Sequence, residues 1–180
     1  MTTNPNELWA VRPSTPDDAE AIESVRIATW KACYRGIVPD AYLDALSVQS
    51  SRVDRIRKGI DRADAGGSVV AVAESQVIGM GFAGPPEDDQ LPGGTGEVFA
   101  VYVLPDWQGR GVGRALLERL TSGLRALGYH SAILWTLRDR RATRRFYEAN
   151  GWELDGAKDS LDLQGAVHLV RYARDLGESS

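Results

Sequence analysis

Glu97-Val98-Phe99-Ala100-Val101-Tyr102-Val103-Leu104, running directly into Pro105-Asp106-Trp107-Gln108-Gly109-Arg110-Gly111-Val112-Gly113-Arg114, is the stretch from which the rest of the chain can be read. Apart from Glu97, both alternating faces of the first segment are apolar, the mark of a central strand covered on each side. Pro105 stops the strand. Three glycines at alternate positions then open a helix, Gly111 to Leu127, whose Leu116, Leu120, Leu124 and Leu127 share one face before Gly128 closes it. Glycines ahead of a helix let the backbone come close to a ligand, and the free N–H groups of the helix N-terminus favour a phosphate.

Two common phosphate-binding patterns are absent. A dinucleotide fingerprint needs G-x-G-x-x-G, but the last position is Arg114 counted from Gly109 and Leu116 counted from Gly111. A P-loop needs Gly-Lys followed by Ser or Thr, and no such triplet occurs.

Working outward, Leu8 to Arg12 reads as a short strand, and Thr15-Pro16-Asp17-Asp18 carries the hydroxyl, proline and acid that begin a helix. That helix holds Ala21, Ile22, Val25, Ala28 and Thr29 at helical spacing and runs out near Tyr34-Arg35-Gly36. Helices are expected from Pro39 to Leu46 and, with Val53, Ile56 and Ile60 on one side, up to Gly66-Gly67. Ser68 to Glu74 and Val77 to Ala83 form a predicted hairpin around Ser75-Gln76. Gly84 to Gly96 is a loop containing Glu87-Asp88-Asp89. Downstream come a strand, Ala132 to Leu137, a short helix, Arg141 to Ala149, and a final hairpin around Gln164-Gly165. Alternation of this kind, with hairpins front and back, predicts an α/β (α+β) domain with a mixed sheet and helices on its faces.

The 180 residues, 43% of them hydrophobic, suit one domain spanning 9–176, with flexible ends at 1–8 and 177–180. Cys33 is the single cysteine, so an internal disulfide is excluded, and with only His130 and His168 beside it no structural metal site is expected. The opening residues lack a signal-peptide pattern and no apolar run approaches a membrane span, so a cytoplasmic protein without a membrane partner is expected. With 21 basic against 25 acidic residues, a nucleic-acid partner is not expected.

Gln108-Gly109-Arg110-Gly111-Val112-Gly113 resembles the acyl-CoA loop of the GCN5-related N-acetyltransferase (GNAT) family, whose signature is Gln or Arg, two residues, Gly, one residue, then Gly or Ala. The strand before it, Pro105, the leucine-rich helix and the block Arg144-Arg145-Phe146-Tyr147-Glu148-Ala149-Asn150-Gly151-Trp152 are similar to that family as well. The resemblance spans residues 9 to about 174 and implies a mostly antiparallel sheet of about seven strands whose central strand splays from its neighbour. It implies acetyl-CoA as cosubstrate, with pantetheine paired to Val101 and Val103. The pyrophosphate would lie on Gln108, Gly109, Arg110, Gly111, Val112, Gly113 and Arg114, the two arginines supplying charge.

Acetyl transfer to an amine requires removal of a proton from an ammonium and help for the departing thiolate. By resemblance Glu97 is the general base, directly or through a water, and Tyr147 the donor to sulfur. A strand-end acid and a packed aromatic are the plainer readings of the same two residues. The amide of Val101 or Val103 would stabilise the oxyanion. Trp30 and Tyr34 are candidate acceptor-binding residues, and with Arg35, Tyr42 and the acids 87–89 they suit a cationic amine, although each also reads as packing or surface. The family commonly has Asn where this chain has Arg140, so that contact is not carried over. The expected protein is an N-acetyltransferase acting on a primary amine of a small molecule or peptide, without a metal, and a homodimer is compatible with it. The alternative is a catalytically silent CoA-binding regulatory module.

Overall fold

The computed structural model describes residues 8–62 and 67–177. The expected flexible ends lie outside the described residues except for Leu8 and Gly177. The elements in chain order are β1 (Ala10–Pro13), α1 (Ala19–Cys33), α2 (Asp40–Ala45), α3 (Ser50–Arg62), β2 (Ser68–Ala73), β3 (Gln76–Gly84), β4 (Thr95–Val103), α4 (Val112–Ala126), β5 (Ser131–Leu137), α5 (Arg141–Ala149), β6 (Glu153–Asp162) and β7 (Ala166–Asp175). One seven-stranded sheet holds them in the order β1-β2-β3-β4-β5-β7-β6. Among the described strand pairs, only β4–β5 is parallel.

The sheet carries helices on both faces, as the alternation predicts. Leu116, Leu117, Leu120 and Leu124 of α4 are fully buried on one face, against Val69, Ile78, Val98 and Leu134. Close approach there depends on strand glycines: a Cβ on Gly81 would stand 2.7 Å from Leu120 Cδ1, and one on Gly96 2.8 Å from Leu124 Cδ2. Ile22 and Val25 of α1 and Ile60 of α3 cover the other face through Val70, Val77 and Met80. Beneath α1 and α3 the carboxylate of Glu23, fully buried, accepts two bonds from Arg26, at 2.6 and 2.9 Å, and one from Arg52 at 2.9 Å.

Three local expectations shift. Leu8 is exposed and β1 starts at Ala10. Leu127 is also exposed, because α4 ends at Ala126 and the chain turns at Leu127-Gly128. The β2–β3 turn falls on Glu74-Ser75, one residue earlier than expected. A register irregularity between Ala71 and Val72 displaces the pairing, and both turn residues adopt positive φ, 46° and 70°. Positive φ at both central residues is what a hairpin's twist demands of a two-residue connection.

The feature that positions the site is the behaviour of β4. It pairs with β5 only from Thr95↔Ser131 to Val98↔Leu134, and then leaves it. On its other edge the register with β3 slips between Phe82 and Ala83, so that Phe99 is the extra residue of a bulge. A bulge bends its strand and increases the local twist. From Phe99 onward β4 therefore follows β3 while β5 follows β7, and the sheet opens between them. The predicted splayed central strand is present.

Candidate active site

A cleft of about 660 Å³ fills that opening. Its floor is the free edge of β4. Leu104 N–H bonds to Ile78 O at 2.9 Å, so by antiparallel alternation Tyr102 and Ala100 also turn their backbone groups toward β3. Val101 and Val103 then turn theirs into the cleft. The carbonyl of Val103 is already engaged, accepting from Gln108 Nε2 at 2.9 Å and Thr29 Oγ1 at 3.3 Å. Val101 keeps both its N–H and its C=O available, with no strand beyond it.

The loop after β4 closes one end. Gly109 and Gly111 adopt left-handed conformations, φ +74° and +83°, and Gly111 is the N-cap of α4. No side chain caps the helix, so the N–H groups of Val112, Gly113 and Arg114 are unengaged by it. Gly113 has a different purpose. It is helical, and a Cβ there would lie 3.4 Å from Phe146 Cζ. The third glycine lines the cleft in the first turn of α4, with its Cα side against Phe146 of α5. Arg114 lines the cleft but also pairs with Glu118 at 2.7 Å in an exposed position. Arg110 lies over the Trp107 ring at 5.1 Å and is outside the lining, and Val112 is buried in the core.

Opposite the free edge stands α5. Its seat is fixed by Phe146 against Gly113 and by a hydrogen-bonded chain in which Arg144 Nε donates to Tyr172 Oη at 3.0 Å and Tyr172 donates to Glu148 Oε1 at 2.6 Å. Tyr147 is thereby held in the cleft wall, its ring 6.3 Å from Trp152 and 6.1 Å from Tyr172. Burial pushes its phenol well above the ordinary tyrosine value, and the nearby Tyr102 adds to the shift. The hydroxyl therefore stays protonated at neutral pH and is a donor.

Trp30, Cys33 and Tyr34 from α1 and the turn after it complete the lining, with Trp135, Thr136 and Leu137 of β5 across from them. The rings of Trp30 and Tyr34 are 5.1 Å apart, and Tyr42 packs on Trp30 at 6.4 Å from outside the lining. Arg35 is exposed and paired to Asp40 and Asp44. In sequence Tyr102 reads as one more residue of an apolar strand, yet its phenol faces Trp30 and Tyr34. A phenol among the apolar residues that follow Glu97 is the signal that marks it.

Glu97 stands next to the cleft rather than in its lining, which starts at Val98. Its side chain is buried, and Oε2 accepts the N–H of Glu87 at 3.1 Å. Burial raises its carboxyl above the ordinary value; the charges of Glu87 and Asp88 add to this, while the Glu87 N–H and Arg171 oppose it. The acids 87–89 are not in the cleft: Asp88 lies 3.8 Å from Arg171, whose Nε bonds Asp155 at 2.6 Å. Arg140 does line it, and its Nε is buried with no hydrogen-bond partner.

A strand edge opened onto a glycine loop at a helix N-terminus, with a protonated phenol across the gap, is an arrangement for acyl transfer from a phosphate-bearing carrier. The chain belongs to the acetyltransferase (GNAT) family, whose sequence model matches residues 28–152. It is 29% identical over 158 residues to the uncharacterized N-acetyltransferase YuaI of Bacillus subtilis, covering 88% of this chain and 87% of that one. Mycothiol acetyltransferase of Geodermatophilus obscurus is 37% identical over 67 residues, which are 37% of this chain and 22% of that protein. Among solved structures, the PaiA N-acetyltransferase of Thermoplasma acidophilum, in complex with coenzyme A, shares the fold with a TM-score of 0.74 at 19% identity, covering 93% of this chain and 98% of that one. YncA of Salmonella typhimurium, with its cofactor acetyl-CoA, gives 0.73 at 22% identity, covering 97% of each chain.

Proposed function

We propose that this protein transfers an acetyl group from acetyl-CoA directly to a primary amine, without a covalent enzyme intermediate. The single observation that carries the reading is the unpaired edge of β4 at Val101, aimed into a cleft that also receives the α4 N-terminus and the Tyr147 phenol. When bound, the coenzyme supplies an acetyl group already activated as a thioester. Val101 offers donor and acceptor to an amide-bearing arm as an added strand would, and Val103 adds its N–H. The amides of Val112 to Arg114, with the Arg114 and Arg140 guanidiniums, suit a diphosphate. Tyr147 donates to the departing sulfur. Glu97 accepts the proton of the ammonium through a water, since it stands behind the cleft wall.

Calorimetry with CoA and a thiol-reagent assay for CoA release test the reading. Binding together with release that depends on added amine is the expected result; binding without release across a broad amine panel identifies a silent CoA-binding module instead, and no binding removes both.

Glu97 gives a test of opposite signs. Because its folded pKa is raised above the ordinary 4.5, its contribution to stability is present below that pH and is lost as pH rises through the folded value. Glu97→Gln, which keeps an acceptor for the Glu87 N–H, therefore raises Tm at neutral pH and leaves it unchanged in acid. Its rate falls, most at pH values above the raised Glu97 pKa and below that of the amine, where the carboxylate is ionised and free amine is scarce. A wild-type pH–rate profile would remove Glu97 from proton transfer.

A further inference from the structure

The acceptor end of the cleft has a chemical bias that follows from its donors and charges. Among the described residues that line the cleft, the only charged side chains are Arg114 and Arg140; no carboxylate faces it. The polar groups gathered at the Trp30 end are an indole N–H and two phenols, all uncharged. Trp30 Nε1 is buried and makes no full hydrogen bond, only a partial one to the Tyr102 hydroxyl, and the phenols of Tyr34 and Tyr102 face one another beside it. Burial raises both phenols, Tyr34 strongly, so both remain neutral at physiological pH. Behind them the charge is positive. The Arg26 guanidinium lies 5.2 Å from the Trp30 ring centroid, Arg26 and Arg52 both bear on Tyr102, and the single carboxylate of Glu23 serves the two of them.

Such a pocket repels a second ammonium and offers no carboxylate to one, while its buried indole N–H is left short of a full acceptor. It also lowers the pKa of any amine that enters, since positive surroundings disfavour the charged form. An α-amino group with a pKa of about 7.7–8.0 is already roughly a tenth free base at neutral pH, whereas an alkylammonium near 10.4 is free in fewer than about one molecule in a thousand.

We infer that the acceptor is an α-amino group flanked by a carbonyl oxygen, that oxygen bonding Trp30 Nε1 and the Tyr34 hydroxyl, rather than an alkyl polyamine. This rests on the acetyl-transfer reading and names the acceptor class for the same site. It narrows the expectation of a cationic amine, which leaned in part on acids that lie outside the cleft lining.

The probes are leucinamide, a tripeptide beginning with the same residue, and putrescine, each titrated into the protein saturated with CoA and each assayed for acetylation with acetyl-CoA. Binding and turnover of leucinamide or the tripeptide, with putrescine at least about tenfold poorer in kcat/KM, is expected; tenfold is the worth of one hydrogen bond to a group otherwise short of a full acceptor. Leucinamide alone marks a small acceptor, and both together mark a cleft that admits a chain. Trp30→Phe keeps the ring and removes the N–H. It raises KM for the better α-amino probe by roughly tenfold and changes the CoA Kd by less than about twofold, which also shows that the variant is folded. Putrescine used as well as either α-amino probe, no binding by any α-amino probe, or an unchanged KM in Trp30→Phe overturns the assignment. Failure of the underlying reading is seen separately, as absence of CoA binding in the first titration.

Discussion

Tyr147→Phe lowers kcat by about 10²–10⁴-fold, the range for loss of a positioned general acid, and changes the CoA Kd by less than about threefold. The separation of the two effects comes from where the ring and the hydroxyl sit. The ring packs against Phe146, Trp152 and Tyr172, and phenylalanine preserves all three contacts. The hydroxyl makes no internal hydrogen bond that holds the fold together, so its removal leaves no buried partner unsatisfied. What disappears is a donor that burial keeps protonated, facing the cleft from the helix opposite the open strand edge. Steady-state kinetics with acetyl-CoA and a turned-over amine, with calorimetry on the same preparation, measure both numbers. Equal turnover in the variant would return Tyr147 to a packing role. A fall in CoA affinity matching the fall in rate would place the hydroxyl on the coenzyme in the ground state, and transfer would then need another donor.

The strand, loop and helix from Glu97 to Leu124 were legible because each has a strong local rule: two apolar faces, a proline stop, glycines before a periodic leucine face. Family resemblance then carried the splay of β4, which hydrophobic pattern alone does not contain. Side-chain direction beyond these rules was not legible. Phe99 looks like any apolar strand residue, and only the register with β3 makes it the extra residue of a bulge. The acids 87–89 sit in a loop whose path is fixed by a hydrogen bond from the Glu87 N–H to Glu97 and an ion pair from Asp88 to Arg171, the latter across more than eighty positions of sequence. Sequence suggested a cationic acceptor because it could not place that loop. Arg140 departs from the family pattern in sequence, but the unpartnered state of its Nε is a fact of the folded cleft. Similarly, three glycines in alternation read as one motif, while the fold divides them into two left-handed turns and one packing contact.

That division predicts unequal substitutions. Gly111→Val weakens CoA binding by at least about 100-fold, because φ is +83° at the helix N-cap and a β-branched residue is excluded from that region. To escape the strain the chain must rebuild the first turn of α4, and the N–H groups of Val112, Gly113 and Arg114 then no longer converge. The protein loses some stability, because the fully buried Val112 lies in the rebuilt turn, but still folds on the buried leucines from Leu116 onward, and the melting temperature reports both. Gly113→Ala behaves otherwise. Its backbone is already helical, and the added methyl meets Phe146 at 3.4 Å, an ordinary contact distance. CoA affinity there stays within about threefold of the parent, less than 1 kcal/mol. Calorimetry on both variants decides the matter: equal losses at the two positions would mean that the loop acts by bulk alone, and intact affinity in Gly111→Val would move the diphosphate away from the α4 N-terminus altogether.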